Sequence, residues 1–143
     1  EDIRALMEEG GIVIADRYVT SNAGHQGAKI ESKSDRIKYY RWLEQLEYVY
    51  FGIPKPDLNV ILHVPTEVTT KLIRERSKRD NRPMDLHERD IKHLRAAERV
   101  YLEIAALFPN TRLVECVDKG QMLSRQQIHG KVWDLVRRIA LKK

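Results

Sequence analysis

An acid and a guanidinium stand side by side at Asp16-Arg17, directly after the apolar run Gly11-Ile12-Val13-Ile14 and before a polar series that includes Ser21, Asn22, His25 and Gln26. A guanidinium is always charged and offers a planar fork of donors that matches carboxylate and phosphate oxygens. An acid and a guanidinium at a strand end therefore point to an anionic ligand, with or without a metal, or to an ion pair that merely closes the strand. A second concentration of positive charge, Arg74, Arg76, Lys78, Arg79 and Arg82, is balanced only by Glu75 and Asp80 and holds almost nothing that can join a core. It must lie at a boundary with solvent or ligand. The third feature is Asp118-Lys119-Gly120, directly after the strand candidate Arg112 to Val117. Phosphoryl transfer asks a protein mainly for positioning and charge neutralisation, and these residue types suit it.

The elements that would position them follow from periodicity. Gly11 to Ile14 is short and β-branched enough for a buried strand, as are Val60-Ile61-Leu62-His63-Val64 and Arg112 to Val117. Between the first two, Glu31 to Phe51 spaces Ile37, Tyr40, Leu43, Leu46, Val49 and Tyr50 as an amphipathic helix, with Ser34 as its cap and Gly52 to Pro56 as its stop. Glu67 to Lys78 is predicted helical behind Thr66. Asp85 and Glu88 form a capping box for a helix to Leu107 that turns Ile91, Leu94, Ala97, Val100, Tyr101, Ile104 and Leu107 inward. Ser124 and Gln127 form another, opening a last helix to about Leu141. Strands alternating with helices argue for an α/β protein with a parallel β-sheet covered by helices on both faces. In such a sheet Asp16 and the 118–120 turn fall at the carboxyl edge, and the arginines of 74–84 can fold over it as a lid.

A chain of 143 residues is expected to form a single domain, and its 42% hydrophobic and 33% charged residues exclude general disorder. No apolar run approaches the roughly 18 residues of a membrane helix, so no membrane partner is expected, and cytoplasm is the default location. The lone Cys116 forms no internal disulfide. A net charge of +5 fits a polyanionic partner without choosing among nucleotides, nucleic acid and lipid. Glu1 stands where a methionine would, and Asp2 to Glu9 reads as the last turns of a helix ending at Gly10. With three strands where a sheet averages five to six, this leads to the expectation of a chain entered in the middle.

The run Asp16-Arg17-Tyr18-Val19-Thr20-Ser21-Asn22, continued by His25-Gln26-Gly27, resembles the signature loop of thymidylate kinases. Lys55-Pro56-Asp57 before the second strand is similar to that family's strand entry, and Asp85-Leu86-His87-Glu88-Arg89-Asp90 leading to Tyr101-Leu102-Glu103 to its lid and following helix. The resemblance covers nearly the whole chain in order. It implies a P-loop nucleoside-monophosphate-kinase-like fold and transfer of a phosphoryl group from ATP to dTMP with Mg2+, giving dTDP and ADP in dTTP biosynthesis. On its terms Arg17 contacts the transferring and acceptor phosphates, and Asp16 neighbours the magnesium shell through water. Ser21, Asn22, His25 and Gln26 face the acceptor, with His25 where the family often has Tyr. Arg76, Arg79 and Arg82 belong to the lid that closes over ATP, any of the three able to reach the phosphates and Arg76 counted among the ATP-binding residues, while Asp118, Lys119 and Gly120 lie by the adenine.

The family's Gly-x-x-x-x-Gly-Lys-[Ser/Thr] phosphate loop occurs nowhere in these residues. The expectation is therefore the C-terminal part of a kinase, its N-terminal strands absent from this chain, and the 143 residues inactive alone. Two rivals stand: another P-loop deoxynucleoside or nucleotide kinase, and a non-catalytic nucleotide-binding fragment. No nucleic acid is expected as partner. Tyr40, Trp42, Tyr48 and Tyr50 are too many aromatics for one internal face, which favours a homodimer through the Glu31–Phe51 helix. His63 within an apolar strand reads as a hydrogen-bonded core or edge histidine, Cys116 as a small buried hydrophobe, and Trp42 and Trp133 as core or packing anchors.

Overall fold

A computed structural model of the chain describes residues 2–81, 90–139 and 141. It divides into two compact units, residues 1–55 and 56–143.

The first unit is helical. Helix α1 (Asp2–Glu8) ends in a reciprocal turn in which Gly10 N donates to Met7 O at 3.0 Å and Gly11 N to Leu6 O at 2.8 Å. Gly10 stands at φ 82°, and a Cβ on Gly11 would lie 2.6 Å from Leu6 O, so both glycines are needed for this exit. The strand expected at Gly11 to Ile14 is not formed. The segment is irregular, no ladder among the described residues includes it, and Ile14 is 92% exposed. Apolar β-branched residues favour extended backbone, but a strand exists only where a neighbour supplies hydrogen bonds.

The polar loop expected after Tyr18 is instead helix α2 (Val19–Gly27), which buries Val19, Ala23, Gly24 and Gly27. It packs on α3 (Lys33–Glu44), where Tyr40 and Leu43 are buried. Ser32, not Ser34, caps α3, its hydroxyl accepting from Asp35 N at 3.4 Å. Arg36 is also buried on this helix, and its guanidinium donates to Ile30 O and Glu31 O at 2.9 and 2.8 Å. The helix expected to run to Phe51 changes pitch, continuing as a π-helix (Gln45–Tyr50) before Gly52 stops it at φ 61°. Trp42, Val49, Tyr50 and Phe51 are exposed, so this element turns only part of its apolar surface inward, and Trp42 is no core anchor.

The second unit carries the sheet. Strand β1 (Asn59–His63) pairs parallel with β2 (Thr111–Glu115), from Asn59 opposite Thr111 to His63 opposite Glu115. This two-stranded parallel sheet is smaller than the one expected from the sequence, because Gly11 to Ile14 adds nothing to it. Helix α4 (Thr66–Arg79) follows β1, and α5 (Ile91–Leu107) packs on both strands and against α4. Val100 and Ile104 of α5 are fully buried and form the unit's core with Phe108, Val114 and Cys116, whereas Ile91 and Leu107, expected inward, are exposed at the two ends of the helix, beyond the length that the two strands cover. Asp90 caps α5 by accepting from His93 N at 3.0 Å. The capping box expected at Asp85 and Glu88 lies outside the described residues.

Beyond β2, β3 (Val117–Asp118) and β4 (Gln121–Met122) form a hairpin. Its two-residue turn holds Lys119 at φ 47° and Gly120 at φ 77°, both left-handed, as a type I′ turn requires. Helix α6 (Arg125–Ile139) opens with the expected capping box: Gln127 N donates to Ser124 Oγ at 3.2 Å and Ser124 N to Gln127 Oε1 at 2.9 Å. It packs on β2, leaving Trp133 47% exposed, so that this residue is no core anchor either. No helix among the described residues is long and apolar enough to cross a membrane.

Candidate functional site

Arg17 is a non-glycine residue in the left-handed region, at φ 72°. Such a conformation costs an L-residue roughly 1–2 kcal/mol, and residues kept in it are concentrated at functional sites. The bend at Asp16-Arg17 delivers the chain to Tyr18, which is extended at φ −149° and stands immediately before α2. Tyr18 is tied down by its hydroxyl, which donates to Pro54 O at 2.9 Å. Burial, with the Glu47 carboxylate, raises its phenol pKa and keeps that donor protonated. Asp16 and Arg17 are exposed and engage no partner among the described residues, and no strand precedes them there. The turn thus presents a guanidinium that is unpaired among the described residues.

The next four candidates are brought together by helix geometry. At 3.6 residues per turn Ser21, Asn22, His25 and Gln26 fall within one arc of α2, opposite the arc buried through Val19, Ala23, Gly24 and Gly27. Asn22, His25 and Gln26 are exposed and Ser21 is half-buried. Lys29 Nζ donates to Gln26 Oε1 at 3.0 Å. A hydroxyl, two amides and an imidazole form a set of donors and acceptors suited to the edge of a planar polar ligand. In the same unit the Tyr48 phenol has its pKa pushed up to about 12 by burial and by nearby Tyr18, Glu44 and Glu47, and Lys55 Nζ lies 5.5 Å over its ring.

In the second unit Arg76 and Arg79 occupy the last turns of α4 with Lys78, all exposed. Residues 74–79 of the expected lid are thus helical, and Arg82 lies outside the described residues. Arg79 forks onto Asp80, with Nε 2.8 Å from Oδ1. Cationic side chains in a last turn are favoured by the helix dipole, so this cluster also has a local reason to exist. Asp118, Lys119 and Gly120 are exposed at the hairpin turn beyond the carboxyl end of β2. Among the described residues no group of three or more His, Cys, Asp or Glu is placed to hold a metal ion. A lone carboxylate such as Asp16 suits Mg2+, which keeps several waters and commonly takes few protein ligands beside phosphates.

One cluster is absent from the residues singled out above for chemistry. His63 Nδ1 lies 2.7 Å from Glu115 Oε2 and its Nε2 3.0 Å from Glu98 Oε1, while the other Glu98 oxygen accepts from Thr66 N at 3.0 Å and from the Thr66 hydroxyl. The expected hydrogen-bonded histidine is confirmed, with carboxylates as partners. Glu98 was discoverable: it stands four residues after Leu94 and three before Tyr101, a charge beside the inward stripe of α5.

Parallel strands with helices packed on them define an α/β protein, and its left-handed arginine and polar helix face suit a phosphate-bearing ligand. The family model for thymidylate kinase matches residues 1–128, and the chain belongs to the thymidylate kinase family. It is 36% identical over 105 residues to the thymidylate kinase of Mycobacterium tuberculosis, covering 73% of this chain and 49% of that protein. To the thymidylate kinase of Limosilactobacillus fermentum it is 31% identical over 142 residues, 94% of this chain and 61% of the relative. A probable thymidylate kinase of Pyrobaculum aerophilum is 30% identical over 105 residues, 73% of this chain and 46% of the relative. The chain spans about half the length of the curated relatives it matches.

Proposed function

We propose that this chain is the acceptor-binding and lid-bearing part of a kinase domain that, in the full-length protein, transfers a phosphoryl group from ATP to dTMP. The observation that carries this reading is the succession of a left-handed Arg17, unpaired among the described residues, and the polar face Ser21, Asn22, His25 and Gln26 of α2, in a chain of the thymidylate kinase family. Arg17 would bridge the acceptor and transferring phosphates, where charge spreads over oxygens in the transition state. Asn22 and Gln26 would offer amides to the pyrimidine edge, with Ser21 and His25 toward the sugar. Arg76, Arg79 and Arg82 would neutralise donor phosphates from the lid, and the 118–120 turn would lie by the adenine. Asp16 would hold water on a Mg2+ ion that supplies charge neutralisation to the phosphates. Exposed Trp42, Val49, Tyr50 and Phe51 suit a second copy of the chain, and a homodimer through this surface belongs to the same reading.

The test is nucleotide chromatography of dTMP and ATP incubated with the full-length protein. Formation of dTDP and ADP is expected, with thymidine a poor acceptor. Absence of dTDP, or preference for the nucleoside, overturns the reading. Without a Gly-x-x-x-x-Gly-Lys-[Ser/Thr] loop there is no amide cradle for ATP, so the 143 residues alone should form no dTDP.

A further inference from the structure

Helix α4 begins without a cap of its own. The residue before it is Pro65, at φ −55° and ψ 145°, which has no side-chain acceptor for the first-turn amides. The acceptor comes from another helix instead. Glu98 of α5, 32 positions on, takes both the Thr66 amide and the Thr66 hydroxyl on one carboxylate oxygen. Its other oxygen is held by His63 Nε2, and the imidazole is oriented from its far side by Glu115, which faces His63 in the β1–β2 register. Lys131 of α6 completes the set by donating to Glu115 O at 2.7 Å. One carboxylate thus meets the first turn of α4, backed by His63 of β1 and Glu115 of β2, and its negative charge complements the helix dipole.

The opposite end of α4 carries Arg76, Lys78 and Arg79. A helix of 14 residues is about 20 Å long, so a tilt of about 10° at its first turn moves its last turn by roughly 3.5 Å, more than a hydrogen bond tolerates. We propose that Glu98 and His63 are positioning residues for α4: the carboxylate grips the helix start, the imidazole fixes the carboxylate, and together they aim the basic far end at the phosphate donor. The grip stands on the geometry, while the aim at a donor rests on the kinase reading above.

The experiment compares the full-length protein with its Glu98→Ala and Glu98→Gln variants, by amide hydrogen exchange and by kinetics. In Glu98→Ala, exchange across Thr66–Thr70 should quicken about tenfold, the scale of losing a charged cap, while exchange in α5 stays as it was. The Michaelis constant for ATP should rise about tenfold with that for dTMP unchanged, because only the donor meets the far end of α4. Glu98→Gln, which keeps one acceptor oxygen, should recover part of both effects. Should Glu98→Ala fail to fold, Glu98→Gln and Thr66→Val are read in the same way. Unchanged exchange at Thr66–Thr70 overturns the grip. Quickened exchange with unchanged ATP kinetics overturns the positioning role and leaves a stability contact. A parent protein that forms no dTDP overturns the kinase reading, and with it the aim at a donor, while exchange alone then decides the grip.

Discussion

His63 and Glu115 end two parallel strands in register, and the imidazole Nδ1 lies 2.7 Å from the carboxylate Oε2. The pairing joins the last residues of β1 and β2 where the chain leaves the sheet for α4 and for the β3–β4 hairpin. Since Nε2 meets Glu98 as well, one imidazole is shared between two acids.

That sharing predicts a pH dependence. Burial pulls the His63 pKa down, but hydrogen bonds and charge from Glu115 and Glu98 outweigh it and leave the pKa above the ordinary 6.5. For Glu98 burial acts upward, and hydrogen bonds from Thr66 and His63 hold the pKa below the ordinary 4.5. A raised histidine stabilises the fold fully below its unfolded pKa and loses that contribution as pH rises through the folded value. A depressed glutamate stabilises above its unfolded pKa and loses its contribution as pH falls through the folded value. Both contributions are complete between about pH 4.5 and 6.5. Urea midpoints measured from pH 5 to 9 should therefore decline above pH 6.5, and the decline should flatten in His63→Gln. An equally steep decline in that variant would remove His63 as its cause.

Arg17 predicts a split between stability and activity. Arg17→Ala should lower turnover of dTMP in the full-length protein by at least about 100-fold, the scale of losing a transition-state charge donor. Arg17→Gly should be as inactive yet more stable than Arg17→Ala by about 1 kcal/mol, because glycine accepts φ 72° without strain. Near-normal turnover in either variant would exclude Arg17 from the reaction.

Two glycines should respond oppositely to alanine. Gly11→Ala drives a Cβ to within 2.6 Å of Leu6 O, a backbone atom, and should cost roughly 1–3 kcal/mol. Gly130, inside α6, meets nothing within 4 Å, so Gly130→Ala should stabilise by about 0.5–1 kcal/mol. Thermal denaturation of the two variants checks both signs.

Removing the Ser124 hydroxyl tests the capping box at the start of α6. Ser124→Ala should cost about 1 kcal/mol, and Ser124→Asp should restore most of it, because the carboxylate can accept from Gln127 N. Equal stability of all three proteins would show that the box contributes nothing.

Much of the second unit was legible in the sequence because its elements are specified over a few residues. The Ser124–Gln127 box and the inward stripe through Val100 and Ile104 depend on neighbours three or four positions away. So does the Gly10-Gly11 exit from α1. The first unit was less legible. The glycines at positions 24 and 27 read as loop residues, yet both lie buried within α2. The spacing of Glu31 to Phe51 matches an α-helix, but a shift to π pitch at Gln45 leaves Val49 and Tyr50 outside.

Residue types and short-range spacing were enough for the family resemblance, for the helices other than α2, for the β1 and β2 strands and for the composition of the polar series after Arg17. These are written in residue types, short-range spacing and motif order. Only the tertiary structure decided that Gly11 to Ile14 is not a strand, that Ser21, Asn22, His25 and Gln26 share a helix face, and that Glu98 caps α4. A ladder needs a partner strand, and a cap taken from 32 residues away needs the chain to have folded back. Hydrogen-bond partners brought together by packing have no fixed separation in sequence, so no local pattern announces them.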